Sequence, residues 1–147
     1  MTQFFLTDAE ATEAMGRKLV PALKPGAIVK ITGPLGAGKT TLVRGIVAAL
    51  GGNPDSVHSP TFGLVHQYET PSALVNHCDF YRLPQDSELE DFGGLEFFET
   101  NSIFLIEWPE RTRLWEYIIP RRLIDVDLQH DSVGRVLRTN ALTQIVD

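Results

Sequence analysis

Ala27-Ile28-Val29-Lys30-Ile31-Thr32-Gly33-Pro34-Leu35-Gly36-Ala37-Gly38-Lys39-Thr40 is the stretch on which the reading of this chain turns. Its first six residues read as a short buried strand. Gly33 to Thr40 then has the spacing GxxxxGK[ST]. Thr41-Leu42-Val43-Arg44-Gly45-Ile46-Val47-Ala48-Ala49-Leu50 reads as a helix closed by Gly51-Gly52. Strand, glycine loop and helix in that order are the context in which the spacing denotes a Walker A phosphate-binding loop rather than a tight connection. Gly33, Gly36 and Gly38 let the backbone turn where a side chain would obstruct it. The turn aims successive N–H groups at phosphates, and the helix N-terminus adds its positive end. Lys39 can reach β- and γ-phosphates, and Thr40 can offer its hydroxyl to Mg²⁺.

Outward from the loop, the chain alternates strands and helices. Phe4-Phe5-Leu6 looks like a first strand. Thr7 and Glu10 have capping-box spacing, Asp8 adds charge to the first turn, and Ala11, Ala14, Met15 and Leu19 recur at helical spacing. This predicts a helix over about 8–22, ended by Pro25-Gly26. Beyond the central helix, 53–60 is a polar connector. Strands are predicted around 62–68 and 74–79, joined as an antiparallel hairpin by Thr70-Pro71-Ser72. Residues 84–94 are acidic and predict a short helix with a solvated face. Leu95-Glu96-Phe97-Phe98 predicts a further helical turn. Ser102-Ile103-Phe104-Leu105-Ile106-Glu107 is a continuously apolar run ending in a carboxylate, which wants cover on both faces as in a parallel sheet. Pro109 is placed to open a helix through about Trp115. Leu123–Leu128 and Gly134–Thr139 both alternate and predict a final antiparallel pair. The fold class is α/β: one P-loop NTPase-like domain over 1–147, with a mixed, mainly parallel central sheet and a C-terminal antiparallel hairpin.

Composition narrows the classes. The chain has 147 residues, 43% apolar and 22% charged, which supports a packed core and argues against wholesale disorder. Its net charge of -6 gives no general electrostatic grip on nucleic acid or on an anionic membrane. A single cysteine, Cys78, leaves no internal disulfide and fits a reducing compartment. The first residues do not read as a signal peptide, and no run approaches 18 apolar residues. A cytoplasmic location without membrane contact is the expectation.

A Mg-nucleotide site needs a carboxylate at a strand end, acting directly or through water. Glu107 is the expected metal-side carboxylate, because ligands bind at the C-terminal edge of open α/β sheets. Asp79, at the end of Leu74-Val75-Asn76-His77-Cys78, is expected to position water or a metal-bound water. Thr61, in Ser59-Pro60-Thr61, is a candidate switch hydroxyl toward Mg²⁺ or the γ-phosphate. Trp108 either closes one side of the nucleotide pocket or packs in the core. Arg82, Arg111 and Arg113 pair with phosphates or with the acidic segment. Arg135 and Arg138 form a small basic element for RNA or an acidic partner. His77 beside Cys78 lacks the four-ligand set of a zinc site; His58 and His66 are weak candidates for a base and its partner.

Three activities compete for such a loop. No Asn-Lys-x-Asp guanine-reading motif is present, which disfavours a switch GTPase. A small-molecule kinase needs an acceptor pocket and a lid, for which little chain remains. A compact ATPase acting on a protein partner fits the size better, and a nucleotide-gated scaffold that binds without hydrolysing is the non-enzymatic alternative.

Several motifs in order resemble the bacterial TsaE (YjeE) family. They are Gly33-Pro34-Leu35-Gly36-Ala37-Gly38-Lys39-Thr40-Thr41, Ser59-Pro60-Thr61-Phe62 with Leu64-Val65 and Tyr68, His77-Cys78-Asp79-Phe80-Tyr81-Arg82-Leu83, and Ile106-Glu107-Trp108-Pro109-Glu110. The first helix, with Ala11-Thr12 and Gly16, is similar as well. The resemblance covers most of residues 4 to 140. It implies a small P-loop α/β fold and an ATPase needed for threonylcarbamoyladenosine formation in tRNA. The protein would dock on the TsaD–TsaB pair and use Mg-ATP to support repeated turnover, with tRNA contacted mainly through the complex. It further implies that Gly33 to Thr41 binds nucleotide, with Lys39 on the phosphates. Thr40 and Glu107 would bind Mg²⁺, and Thr61 and Asp79 would join Lys39 and Glu107 in catalysis. Trp108 would be the adjacent functional aromatic, and Asp8 and Thr12 would approach the adenine end. One departure stands out: the family usually has Asp where this chain has Pro34, which fixes φ and removes one N–H.

Overall fold

A computed structural model describes residues 1–58, 65–81 and 93–141. Seven strands form one sheet: β1 (Thr2–Leu6), β2 (Ile28–Thr32), β3 (Val65–Glu69), β4 (Leu74–Asp79), β5 (Ile103–Glu107), β6 (Leu123–Asp131) and β7 (Gly134–Thr139). Their order is β1-β7-β6-β2-β5-β4-β3. The four central strands, β6, β2, β5 and β4, run parallel, and antiparallel pairs flank them: β7 and then β1 on one side, β3 on the other. The mixed sheet and terminal hairpin are those expected from the α/β pattern. β6 additionally returns to pair in parallel with β2.

Two helices, α1 (Ala9–Leu19) and α2 (Lys39–Ala49), cover one face. α1 buries Thr12, Met15, Gly16 and Leu19, one stripe at helical spacing. Met15 and Leu19 join Leu42, Val43, Ile46 and the inward residues of the sheet, among them Val29, Ile31, Leu105 and Val126. The helices meet backbone to backbone. A Cβ on Gly16 would lie 2.7 Å from the Ile46 nitrogen, and one on Gly45 would overlap the Glu13 carbonyl oxygen.

The other face is covered by aromatic side chains. Phe98 and Trp115 lie 5.4 Å apart, ring centre to ring centre, and Phe98 lies 5.1 Å from Phe104 of β5. Phe80, Ile106 and Ile118 complete this second cluster. Cover on both faces explains why every residue of β5 is buried.

Three local expectations change. The cap of α1 is Asp8, not Thr7: Asp8 Oδ1 accepts the Ala11 N–H at 2.8 Å. Its last predicted turn tightens into a 3₁₀ turn at Val20–Ala22, with Pro21 inside it. Pro109 opens no α-helix. Pro109–Arg111 and Leu114–Tyr117 are separate 3₁₀ turns, because Thr112 is extended between them (φ -140°, ψ 160°) and the Trp115 indole N–H donates to the Pro109 carbonyl at 2.7 Å. The acidic helix predicted over 84–94 falls mostly outside the described residues. Among those residues, no helix is long and apolar enough to cross a membrane.

Candidate nucleotide-binding site

Strand register assembles the site. Ile31, two residues before the loop, is level with Glu107 on β5, and Glu107 is level with Asp79 on β4. Loop and both carboxylates therefore share the C-terminal edge of the parallel strands, where open α/β sheets bind ligands.

The loop is held from both sides. Gly33 (φ 142°), Gly36 (φ 78°) and Gly38 (φ 102°) all take positive φ. Gly33 also has no room for a side chain, since a Cβ would overlap the Leu128 carbonyl oxygen of β6. Gly38 caps α2, whose first N–H groups therefore open onto the loop. The Arg135 guanidinium, from β7, donates to the carbonyls of Ala37 and Gly36 at 3.1 Å each. Arg135, expected in a basic element for RNA or an acidic partner, braces the loop in this structure, and Arg138 donates to Gln3 at 2.9 Å.

Lys39 is folded into this concavity, 5% exposed. Its Nζ donates to the Gly33 carbonyl at 2.6 Å and sits 3.6 Å from the centre of the Trp108 ring. Burial lowers its pKa, against the opposing pull of Glu107, Asp79 and Glu110. Trp108 has φ 58°, a left-handed backbone that bulky residues rarely adopt. That turn, immediately after Glu107, lays the indole under Lys39 and 4.9 Å from Tyr81. Trp108 therefore walls the site and also borders the aromatic cluster on the other face.

Beneath the loop runs a buried chain of hydrogen bonds. The Thr40 hydroxyl donates to Glu107 Oε2 at 3.2 Å. The same oxygen is 2.6 Å from His77 Nε2, and His77 Nδ1 is 3.0 Å from the Tyr68 hydroxyl. Asp79 lies beside this chain. Burial raises its pKa and the charge of Glu107 adds to the rise, while the Tyr81 N–H (2.9 Å), His77 and Lys39 oppose it. Burial also raises the pKa of Tyr68.

At the other end of the loop a groove of about 160 Å³ opens between α1 and the loop, lined by Asp8, Thr12, Gly36, Gly38, Thr41 and Arg135. Asp8 and Thr12, expected near the adenine end, line this groove, and the Asp8 carboxylate is engaged as the helix cap. Pro34 and Leu35 form the exposed crest of the loop, and the Pro34 carbonyl accepts the Ala37 N–H at 3.2 Å. Thr61 lies outside the described residues.

The residues present fit a Mg²⁺ ion. Two adjacent ligands of an octahedral Mg²⁺, each at about 2.0–2.1 Å, lie about 2.9 Å apart. The Thr40 hydroxyl and Glu107 carboxylate oxygens are 3.2 Å apart. Among the described residues no three His, Cys, Asp or Glu side chains gather as a metal cage. One hydroxyl and one carboxylate completed by phosphate and water is the donor set that Mg²⁺ prefers.

Sequence reasoning missed three contributors: His77, Tyr68 and Arg135. Part of the signal for His77 was available: period-two alternation puts His77 on the same face of β4 as Asp79. That β4 lies beside β5 shows only in the folded sheet. Tyr68 and Arg135 depend on strand pairing that no local pattern reveals.

The TsaE family profile, described as threonylcarbamoyl adenosine biosynthesis protein TsaE, matches residues 6–137. The chain is 37% identical over 128 residues to the tRNA threonylcarbamoyladenosine biosynthesis protein TsaE of Rickettsia bellii, covering 87% of this chain and 86% of that one. It is 37% identical over 123 residues to the protein of the same name from Haemophilus influenzae, covering 81% and 75%. Its fold is similar to the crystal structure of YdiB from Bacillus subtilis, with a TM-score of 0.69 and 23% identity over 92% of this chain and 82% of that one. With the phosphate loop, the two strand-end carboxylates and these likenesses together, the chain belongs to the TsaE family of tRNA threonylcarbamoyladenosine biosynthesis proteins.

Proposed function

We propose that this chain is a Mg-dependent cytoplasmic ATPase that docks on the TsaD–TsaB pair and sustains repeated cycles of threonylcarbamoyladenosine formation beside the anticodon of tRNA. The observation that carries the reading is the contact of the Thr40 hydroxyl with the Glu107 carboxylate beneath the glycine loop. It supports the reading because a hydroxyl and a carboxylate of the kind that hold Mg²⁺ meet beside the glycine loop. Thr40 and Glu107 would hold Mg²⁺ there, which when bound would supply neutralisation of phosphate charge. Lys39 exchanges the Gly33 carbonyl for phosphate oxygens, which returns a charged partner to a buried ammonium. Asp79, with its raised pKa, holds the attacking water or a water on the metal. Thr61 supplies the switch hydroxyl. Gly33 to Thr41 wraps the phosphates, Trp108 backs Lys39, and the groove at Asp8 and Thr12 takes the base. With a net charge of -6, tRNA is met mainly through the complex.

The test is multiple-turnover tRNA threonylcarbamoylation by the purified pathway partners, with and without this chain, following phosphate release in the same reaction. Product beyond the first cycle should require both the chain and hydrolysable ATP. Product sustained by a non-hydrolysable analogue would make the chain a nucleotide-gated scaffold. Phosphate transferred to a metabolite would make it a kinase.

A further inference from the structure

We infer that His77 and Tyr68 are positioning residues for Glu107: together they fix the one carboxylate orientation that meets Thr40 and a metal ion. The inference rests on the Mg-nucleotide reading of the site.

All three side chains are withdrawn from water. His77 is 0% exposed, Glu107 3% and Tyr68 7%. A buried carboxylate and a buried imidazole are costly unless their polar atoms are matched. Here they match each other at 2.6 Å, a short contact of the charge-assisted kind. The donors can be assigned by counting. Glu107 Oε2 also receives the Thr40 hydroxyl, so it acts as an acceptor and His77 Nε2 must carry the proton. In the neutral ring Nδ1 is then bare and accepts from the Tyr68 hydroxyl at 3.0 Å. Tyr68 thus matches the nitrogen left bare when the Nε2–H faces the carboxylate. The His58 carbonyl, 3.4 Å from the same hydroxyl, is the longer and competing acceptor for its single proton.

This geometry has a consequence for the metal. Oε2 is the oxygen nearest Thr40 and is held there by His77 on β4, one strand away. Without that N–H the carboxylate of Glu107 is free to rotate off Thr40. Hydrogen bonds of this kind to metal-binding groups change metal affinity by about 10–100-fold when removed.

Mn²⁺ is the probe, followed by electron paramagnetic resonance with a non-hydrolysable ATP analogue on the full chain. His77→Leu should weaken Mn²⁺ binding in the ternary complex about 10–100-fold. Affinity for the analogue in a chelator should stay at the wild-type value, which a general loss of structure would not spare. His77→Gln carries an N–H at nearly the depth of Nε2 and should recover most of the Mn²⁺ affinity. Nitrogen-15 NMR of His77 in the wild-type chain should show a proton on Nε2. Tyr68→Phe leaves Nδ1 without its partner and the ring held only through Nε2–H, so it should weaken Mn²⁺ by a smaller factor than His77→Leu, which keeps the test decisive if His77→Leu does not fold. Equal Mn²⁺ affinity in wild type and His77→Leu, or an unprotonated Nε2, would overturn the role of His77. Failure of the wild-type chain to hold Mn²⁺ with the analogue would instead contradict the Mg-nucleotide reading itself.

Discussion

Asp79 is a residue whose place in the site works against the stability of the chain. Its pKa is raised chiefly by burial. A carboxyl that binds its proton more tightly when folded favours the native state only while protonated. As pH rises from the ordinary carboxylate value through the raised one, the unfolded chain releases its proton first and stability falls. Asp79→Asn keeps the acceptor for the Tyr81 N–H and removes the charge. It should raise the urea midpoint of the nucleotide-free chain at neutral pH, by less than about 1 kcal/mol because the carboxylate keeps partial solvent contact. The gain should vanish below the ordinary carboxylate pKa. Partner-stimulated phosphate release should fall about 10²-fold in the same variant. A variant less stable at neutral pH would show that the Asp79 charge is favourably held after all.

Trp108 follows the same logic at the level of the backbone. Holding a bulky side chain at φ 58° costs about 1–3 kcal/mol, and such strain collects at functional sites. Here it lays an aromatic face under the buried Lys39. The sequence Glu107-Trp108-Pro109 announced a break in the chain. It did not announce the left-handed turn, since φ at a single residue is set by what packs on either side of it.

Between elements, α1 and α2 meet backbone to backbone at Gly45. Gly45→Ala would push a methyl group into the Glu13 carbonyl oxygen, and neither backbone has room to yield. The substitution should destabilise the chain by about 1–3 kcal/mol, read from urea unfolding, despite the higher helix propensity of Ala. A stabilised Gly45→Ala chain would mean that the helices do not meet there. The brace from β7 to the loop makes a separate prediction. Arg135→Ala removes two charged hydrogen bonds to loop carbonyls, each worth about 1.5–3 kcal/mol when the donor is charged. Mg-ATP affinity should fall at least about 10-fold by calorimetry, since a loss of about 1.4 kcal/mol already gives that factor. Unchanged affinity would show that the loop keeps its shape unaided.

The elements were the most legible level of the sequence. Leu74–Asp79 was predicted as a strand and is one, and the continuously apolar run to Glu107 is a fully buried parallel strand. The segment after Pro109 was not legible. Its apolar residues Leu114, Trp115 and Ile118 have helical spacing, yet they serve as cover for the sheet from short 3₁₀ turns. Periodicity reports which residues are buried more reliably than how the backbone carries them there.

At the scale of the whole molecule, the sheet order is what brings the parts together. Ile31, Glu107 and Asp79 sit on three neighbouring strands whose sequence separations give no hint of adjacency. The glycine loop and both carboxylates were legible because each carries a local signature: a spacing, or a charge at the end of an apolar run. The chain from Glu107 through His77 to Tyr68 was not, because it exists only after β5, β4 and β3 align.

On the proposed reading, loop, hydroxyl and carboxylate hold Mg-ATP as one unit. Calorimetric titration of ATP into the chain, with and without Mg²⁺ and with and without TsaD–TsaB, tests it most directly, with Thr40→Val as the comparison. Binding should depend on Mg²⁺, and Thr40→Val should weaken it far more in Mg²⁺ than in chelator. Binding absent both alone and with the partners, or indifferent to Mg²⁺ and to Thr40, would contradict it.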